Sequence, residues 1–157
     1  LKINYKETLE SFTGIARRME FIGEKNNIKV YDDYANHPTA FAATIAGIKE
    51  LNPQSKIWAV IEPHTFSRLR TLLAELPGSL KQADQVIISK IFASREQDPG
   101  DFSGADIAKA IGSKAIYIPE FPDIIKYLTL NISHSSVVLV MGSGNSNKLA
   151  REILQQL

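Results

Sequence analysis

Two stretches of this chain carry side chains able to do chemistry, and each stands where an extended run hands over to a helical one. In the first, Tyr31-Asp32-Asp33-Tyr34-Ala35-Asn36-His37-Pro38, two carboxylates, a phenol, an amide and an imidazole fall between Asp32 and His37. The run follows the β-branched stretch from Ile28 to Val30 and ends on Pro38. Proline suits the first helical position because its missing N–H would be unpaired there anyway. The helix it opens presents free N–H groups and a positive dipole end to an anion. The second stretch is Glu62-Pro63-His64-Thr65-Phe66-Ser67-Arg68-Leu69-Arg70. A helix starting near Thr65 or Ser67 puts Arg68 and Arg70 in its first turn, against the macrodipole, at roughly 0.3–1 kcal/mol each. A cation placed against its local preference points to use, and more so for Arg68 than for Arg70. The planar fork of a guanidinium can hold a carboxylate or a phosphoryl oxygen. The alternative for both stretches is structural: solvated acids beside a capped helix, and an arginine paired with a nearby acid.

Other motifs exclude more than they assign. Gly142-Ser143-Gly144 lacks the third glycine of a dinucleotide fingerprint, since Asn147 stands there, and a tight strand-to-helix turn is the favoured reading. No G-x-x-x-x-G-K-[ST] loop occurs, so a grip on ATP phosphates must come from elsewhere. His37 and His64 lack metal-ligand spacing and a third partner; contact with a ligand or helix capping suits them better, and no metal site is assigned. His134 lies in a polar loop, Trp58 reads as core, and no nucleophile elbow is present.

The elements that must position these residues follow from periodicity. A short helix is expected over residues 5–14, with Leu9 and Phe12 on one side and Gly14 as its stop. Residues 18–22 and 28–31 read as a hairpin with a turn at 24–27. A helix over 38–50 buries Phe41, Ile45 and Ile48 at i, i+4 and i+7. Strands follow at 57–61, 85–89, 115–118 and 136–141. Helices are expected from about Thr65 to Leu76, interrupted at Pro77-Gly78, then over 105–111 with Ser103 or Gly104 as cap, from Pro122 to Leu130, and from the Gly142 turn to the end. A loop spans Phe92 to Gly104. Strict β/α alternation after residue 28 argues for a parallel sheet with helices on both faces. Right-handed crossovers then bring the two junctions, the Ala93–Glu96 loop and the Gly142–Asn145 turn to one rim.

Bulk properties agree with one ordinary domain. The chain has 157 residues, 44% hydrophobic and 22% charged, with net charge +1 and no cysteine. Disulfides and thiolate metal sites are excluded. No strong field argues for nucleic acid or a membrane surface, and no apolar run is long enough to span a bilayer. The absence of cysteine fits a cytoplasmic setting. Leu1 in place of a methionine is the mark expected of a fragment.

These residues resemble a known family, the Mur ligases, in their C-terminal domain. Asp32-Asp33-Tyr34-Ala35-Asn36-His37-Pro38-Thr39 resembles the family's D-D-Y-[AG]-H-H-P-T signature. Gly14-Ile15-Ala16-Arg17-Arg18-Met19-Glu20 is similar to its G-x-x-R-R-x-E stretch, and Glu62-Pro63-His64-Thr65-Phe66-Ser67-Arg68 to its Q-P-H-x-[YF]-S-R stretch. Phe92-Ala93-Ser94-Arg95-Glu96 and Met141-Gly142-Ser143-Gly144 match further blocks in the same order, most closely those of the alanine-adding branch. The resemblance implies a Rossmann-like α/β domain of three layers, mostly parallel with one antiparallel strand and preceded by a β-hairpin. It implies one domain over residues 1–157 of a three-domain enzyme that joins L-alanine to UDP-N-acetylmuramate through an acyl phosphate in peptidoglycan synthesis. ATP and Mg²⁺ would be bound mainly by the central domain, and this domain alone would be inactive. Carried over by position, Arg68 and His37 would be catalytic. Tyr34, Asn36, His64 and Arg68 would bind substrate, and Asp33 and Asp32 would face the nucleotide.

Two positions depart from the pattern. Asn36 replaces a usual histidine, so no acid–base role is expected there, because an amide does not titrate near neutrality. Thr65 stands where arginine is frequent, leaving the grip on a carboxylate to Arg68, Arg70 or Arg95. Two alternatives stay open: the ligase that reattaches recycled tripeptide, and a non-catalytic module binding a nucleotide or an amino acid.

Overall fold

The computed structural model describes residues 5–12 and 14–157. A six-stranded sheet has the order β1-β2-β6-β3-β4-β5, with β1 Glu20–Lys25, β2 Ile28–Asp33, β3 Lys56–Glu62, β4 Gln85–Ile88, β5 Ala115–Tyr117 and β6 Ser136–Gly142. Only the β1/β2 pair is antiparallel; the other four pairings are parallel. The expected hairpin is therefore part of the sheet: β2 is the first parallel strand and β1 its antiparallel edge. Asn26 and Asn27 close the turn at φ 54° and 61°. Two left-handed residues give the twist that a two-residue hairpin needs, and asparagine tolerates it.

The direction of travel across the sheet decides the layers. From β2 to β3, β4 and β5 the chain moves one way, and right-handed crossovers put α2 Pro38–Leu51, α3 Phe66–Leu72, α4 Leu76–Ser79 and α5 Gly104–Ile111 on one face. From β5 it returns to β6, which puts α6 Phe121–Asn131 and α7 Ser146–Gln156 on the other. Strand side chains alternate accordingly. Ile57, Ala59 and Ile61 of β3 pack with Phe41, Ile45 and Ile48 of α2. Trp58 and Val60 pack with Leu128 of α6 and Leu149 and Ile153 of α7.

Two expectations change. α1 covers only Tyr5–Glu10, and Leu9 and Phe12 are exposed, so the expected side buries little. A helix this short gains little without a packed face, and it ends before Gly14. The second crossover, from β3 to β4, breaks earlier than expected. A 3₁₀ turn at Leu73–Glu75 follows α3, and Pro77 and Gly78 lie inside α4. Proline at a first-turn position starts a helix rather than ending one. The cap before α5 is Ser103, which forms a reciprocal capping box with Asp106.

Gly104, the first residue of α5, touches backbone where β4 ends. A Cβ there would stand 2.6 Å from the Ser89 carbonyl oxygen and 2.5 Å from the Tyr117 ring. Gly104→Ala is expected to cost about 1–3 kcal/mol through this overpacking, measured as a lower midpoint of urea unfolding.

Candidate functional site

The ends of β2, β3, β4 and β6 do share a rim, and two sets of contacts tie them together. The first joins β1, β2 and β6. The Arg17 guanidinium donates to the carbonyls of Gly142 at 2.7 Å and Gly144 at 3.5 Å, and to Ser146 Oγ at 3.0 Å. Its Nε lies 3.4 Å from the buried Asp32 carboxylate, without hydrogen-bond geometry. The same guanidinium covers the Tyr34 ring at 4.8 Å, and that of Arg18 stands at 5.5 Å. Tyr34, partly exposed at the end of β2, is thus oriented by cation–π contact.

The second set joins β2, β3 and β4. Arg68 Nη2 donates to the Asn36 carbonyl at 2.7 Å and also to Asn36 Oδ1. Glu96, from the loop after β4, accepts from the backbone N–H of Phe66 at 2.6 Å, from that of Ser67 at 3.1 Å and from the Ser67 hydroxyl. This carboxylate supplies the cap that Thr65, with no side-chain bond of its own, does not. It also offsets the opposition between Arg68 and the positive end of α3. Thr65 sits at φ 64°, a costly place for a β-branched residue, and its N–H is held by the Phe92 carbonyl at 3.1 Å. His64 stacks on Phe92 at 5.7 Å, and its Nδ1 is buried with no partner among the described residues. Burial, and then the Arg68 charge, hold the His64 imidazolium below its ordinary pKa, so the neutral ring is favoured.

The acids at the strand ends turn inward. Glu62, next to Gly142 in the β3/β6 register, accepts from the N–H groups of Asn145 at 3.1 Å and Ser146 at 2.9 Å, capping α7. Close approach explains the glycines of this turn. A Cβ on Gly142 would meet Glu62 Cβ at 2.8 Å, and one on Gly144 would meet Glu62 Oε2 and Phe92 Cγ at 2.8 Å. Asp33 accepts from the N–H of Met19 at 2.7 Å and of Ala35 at 2.7 Å, and from the Thr44 hydroxyl at 3.4 Å. Asp32 and Asp33, expected to face a nucleotide, are therefore both buried and engaged within the chain. His37 caps α2, its Nδ1 accepting from Thr39 N–H at 3.3 Å while the ring stays exposed. Arg70 is taken up at the surface by Asp101 and the Phe102 ring. A cavity of about 580 Å³ opens beside Phe92 and Glu62, with Lys90, Glu120 and Phe121 on its walls. None of the seven residues singled out from the sequence lines it.

A family model described as "Mur ligase, glutamate ligase domain" matches residues 17–144. The chain belongs to this family. The matched stretch runs from Arg17 to Gly144, two residues that meet across the sheet. The chain is 41% identical over 155 residues to a UDP-N-acetylmuramate–L-alanine ligase of Acetivibrio thermocellus, covering 97% of this chain and 33% of that protein. It spans about a third of the length of the curated relatives it matches. The crystal structure of a UDP-N-acetylmuramate–alanine ligase from Thermotoga maritima is similar at TM-score 0.75 and 26% identity, over 96% of this chain and 32% of that one. A murein peptide ligase from Psychrobacter arcticus is similar at TM-score 0.74 and 26% identity, with the same coverages.

This Mur ligase domain shows no cluster of three or more His, Asp or Glu able to hold a metal among its described residues. Asp32 and Asp33 are engaged inside the fold and do not present their carboxylates to a Mg²⁺ ion. Nor is any described helix long and apolar enough to cross a membrane. The structure brings Asn36, His64 and Arg68 into one neighbourhood and places Tyr34 in the adjoining one, beneath Arg17 and Arg18. Arg17, Glu62 and Glu96 are the organising residues that pattern reading left without a role. Their only sequence signal was membership of blocks that resemble the family.

Asp32 gives this site a pH signature. Burial outweighs the Arg17 charge and raises its pKa from 3.8 to about 6. The folded protein then holds this proton more tightly than the unfolded chain, so stability from this group is full below pH 3.8 and is lost as pH rises to about 6. Asp32→Asn removes that slope. The variant is expected to gain on the wild type by up to roughly 3 kcal/mol between acid and neutral pH, measured by urea unfolding at both. A difference that stays constant would show that Asp32 ionises normally in the fold.

Proposed function

We propose that this chain is the C-terminal, amino-acid-binding domain of a three-domain ligase that adds L-alanine to UDP-N-acetylmuramate in the cytoplasmic stage of peptidoglycan synthesis. The reading is carried by Arg68: a guanidinium held at the meeting of two strand ends, in a family member whose relatives at 34–41% identity bear the name of that activity. ATP supplies the phosphoryl group that activates the muramyl carboxylate, and with Mg²⁺ it is held by the other domains.

Arg68 grips an oxygen of the acyl phosphate or the carboxylate of the incoming alanine. Its charge offsets the negative charge that grows as the amine attacks the acyl carbon. In that step a C–N bond forms, the C–O bond to phosphate breaks, and the amine gives up a proton to the departing phosphate. Neutral His64, beside Arg68, adds no charge of its own to the surroundings of the substrate's anion. His37 at the start of α2 and Tyr34 complete the wall facing the substrate. Asp33 acts through the backbone, holding Met19 and Ala35 so that the Tyr34–His37 loop keeps its shape. Closure against the central domain excludes water from the activated carboxylate.

The test is phosphate release by the full-length protein with Mg²⁺-ATP and UDP-N-acetylmuramate. Release is expected to depend on L-alanine. Release only with tripeptide would place the chain with the recycling branch, which the likeness to a murein peptide ligase keeps as the second reading. No release with any acceptor, from a folded protein, would leave a binding module. Arg68→Ala is expected to lower turnover about a hundredfold, the scale of losing a donor to a developing oxyanion. Near-normal turnover would remove Arg68 from the mechanism.

A further inference from the structure

The position of Asn36 against Arg68 gives it a task other than touching substrate. We propose that Asn36 is a positioning residue, which fixes the Arg68 guanidinium by giving one of its nitrogens two acceptors, the Asn36 carbonyl and Oδ1. This rests on the reading of Arg68 as the group that grips the anion of the substrate.

Both acceptors engage the same atom, Nη2, the carbonyl at 2.7 Å. Two acceptors from one residue restrain the guanidinium plane more than either alone. Among the described residues nothing accepts from Arg68 Nε or Nη1, so that edge stays available for a carboxylate or phosphoryl group. The other end of Arg68 is fixed independently. Glu96 holds the first turn of α3 through the N–H groups of Phe66 and Ser67. The backbone of Arg68 is thus held from the end of β4, and its tip from the end of β2.

The chemical type of the acceptor matters as much as its place. Both Asn36 oxygens are neutral, so they orient the guanidinium without cancelling its charge. A carboxylate here would pair with Arg68 and compete with the substrate's own anion. An imidazole would accept only while unprotonated and would release Arg68 as pH falls through its range. An amide oxygen accepts at every pH.

The experiment compares Asn36→Ala, Asn36→Asp and Asn36→His in the full-length protein, with urea unfolding alongside so that loss of fold is seen separately. Two readouts are taken: KM for L-alanine with kcat, and ¹⁵N NMR of the Arg68 guanidinium, where a held Nη2 shows slow rotation and exchange. Asn36→Ala, which keeps the backbone carbonyl and loses only Oδ1, is expected to speed that rotation and raise KM at least about tenfold, the scale of one hydrogen bond to a charged group. Asn36→Asp is expected to keep the rotation slow yet weaken alanine binding, because the charge is cancelled. For Asn36→His, the ratio of variant to wild-type KM is expected to climb as pH falls through about 6.5. His64, with Glu62 and Glu96 near it, is common to both proteins and drops out of the ratio.

Asn36→Ala that loses turnover while Arg68 stays held would mean that Asn36 touches substrate itself, and would overturn the proposal. So would a variant matching wild type in both readouts. If no acceptor supports phosphate release, the ligase reading fails, and guanidinium rotation with affinity for inorganic phosphate alone decides. Slow rotation in wild type, with faster rotation and weaker phosphate binding in Asn36→Ala, supports positioning; no change in either overturns it.

Discussion

The last strand of the sheet is the constraint on which everything else depends. β6 arrives after residue 135 yet lies between β2 and β3, hydrogen-bonded on both edges and buried along its whole length. Val137, Leu139 and Met141 enter one core, and Val138 and Val140 the other. The two faces of the sheet therefore cannot be completed until the C-terminal part of the chain has threaded back to the centre. Such pairings span most of the sequence, so the loop-closure cost is met before the burial gain arrives. Closing the sheet this way also puts the Gly142–Ser146 turn between the two polar junctions, where Arg17 and Glu62 hold it.

Burying charge at these strand ends forces each carboxylate to find its own compensation. Glu62 has the positive start of α7 and two N–H donors. Asp33 has two backbone donors and the Thr44 hydroxyl. Asp32 has the charge of Arg17 and no hydrogen bond among the described residues, and burial raises its pKa. Glu96 does for α3 what Glu62 does for α7. The rim thus spends its acids on helix starts and loop backbone. What remains facing outward near Arg68 is cationic or neutral, which is the balance that an anionic ligand needs.

Much of this was legible along the chain. β-branched runs such as Val137 to Val140, the i, i+4, i+7 spacing of Phe41, Ile45 and Ile48, Pro38 at a helix start and Ser103 before α5 each report a local energy that a short window contains. Helix capping stood among the readings open for His37, and the structure places it there. Local rules failed where local preference was overridden or unsupported. The break in the second crossover fell at Leu73 because Pro77 opens a turn of helix, and α1 stopped short because it has little surface to pack against.

The sequence by itself therefore determined the β/α alternation, the hairpin, the helix starts, and that Arg68 and the Asp32–His37 run would stand at strand ends. Only the tertiary structure decided which side chains meet there. Arg17 reaches Gly142, and Glu62 reaches Ser146, across more than eighty residues of chain. Asp32 and Asp33 turn inward while Arg68 keeps a free edge. The physical reason is that a backbone preference is set by near neighbours, whereas the partner of a buried charge is set by which strand end lies beside it. Strand order follows from burying both faces of the whole sheet at once, and no single stretch of sequence contains that balance.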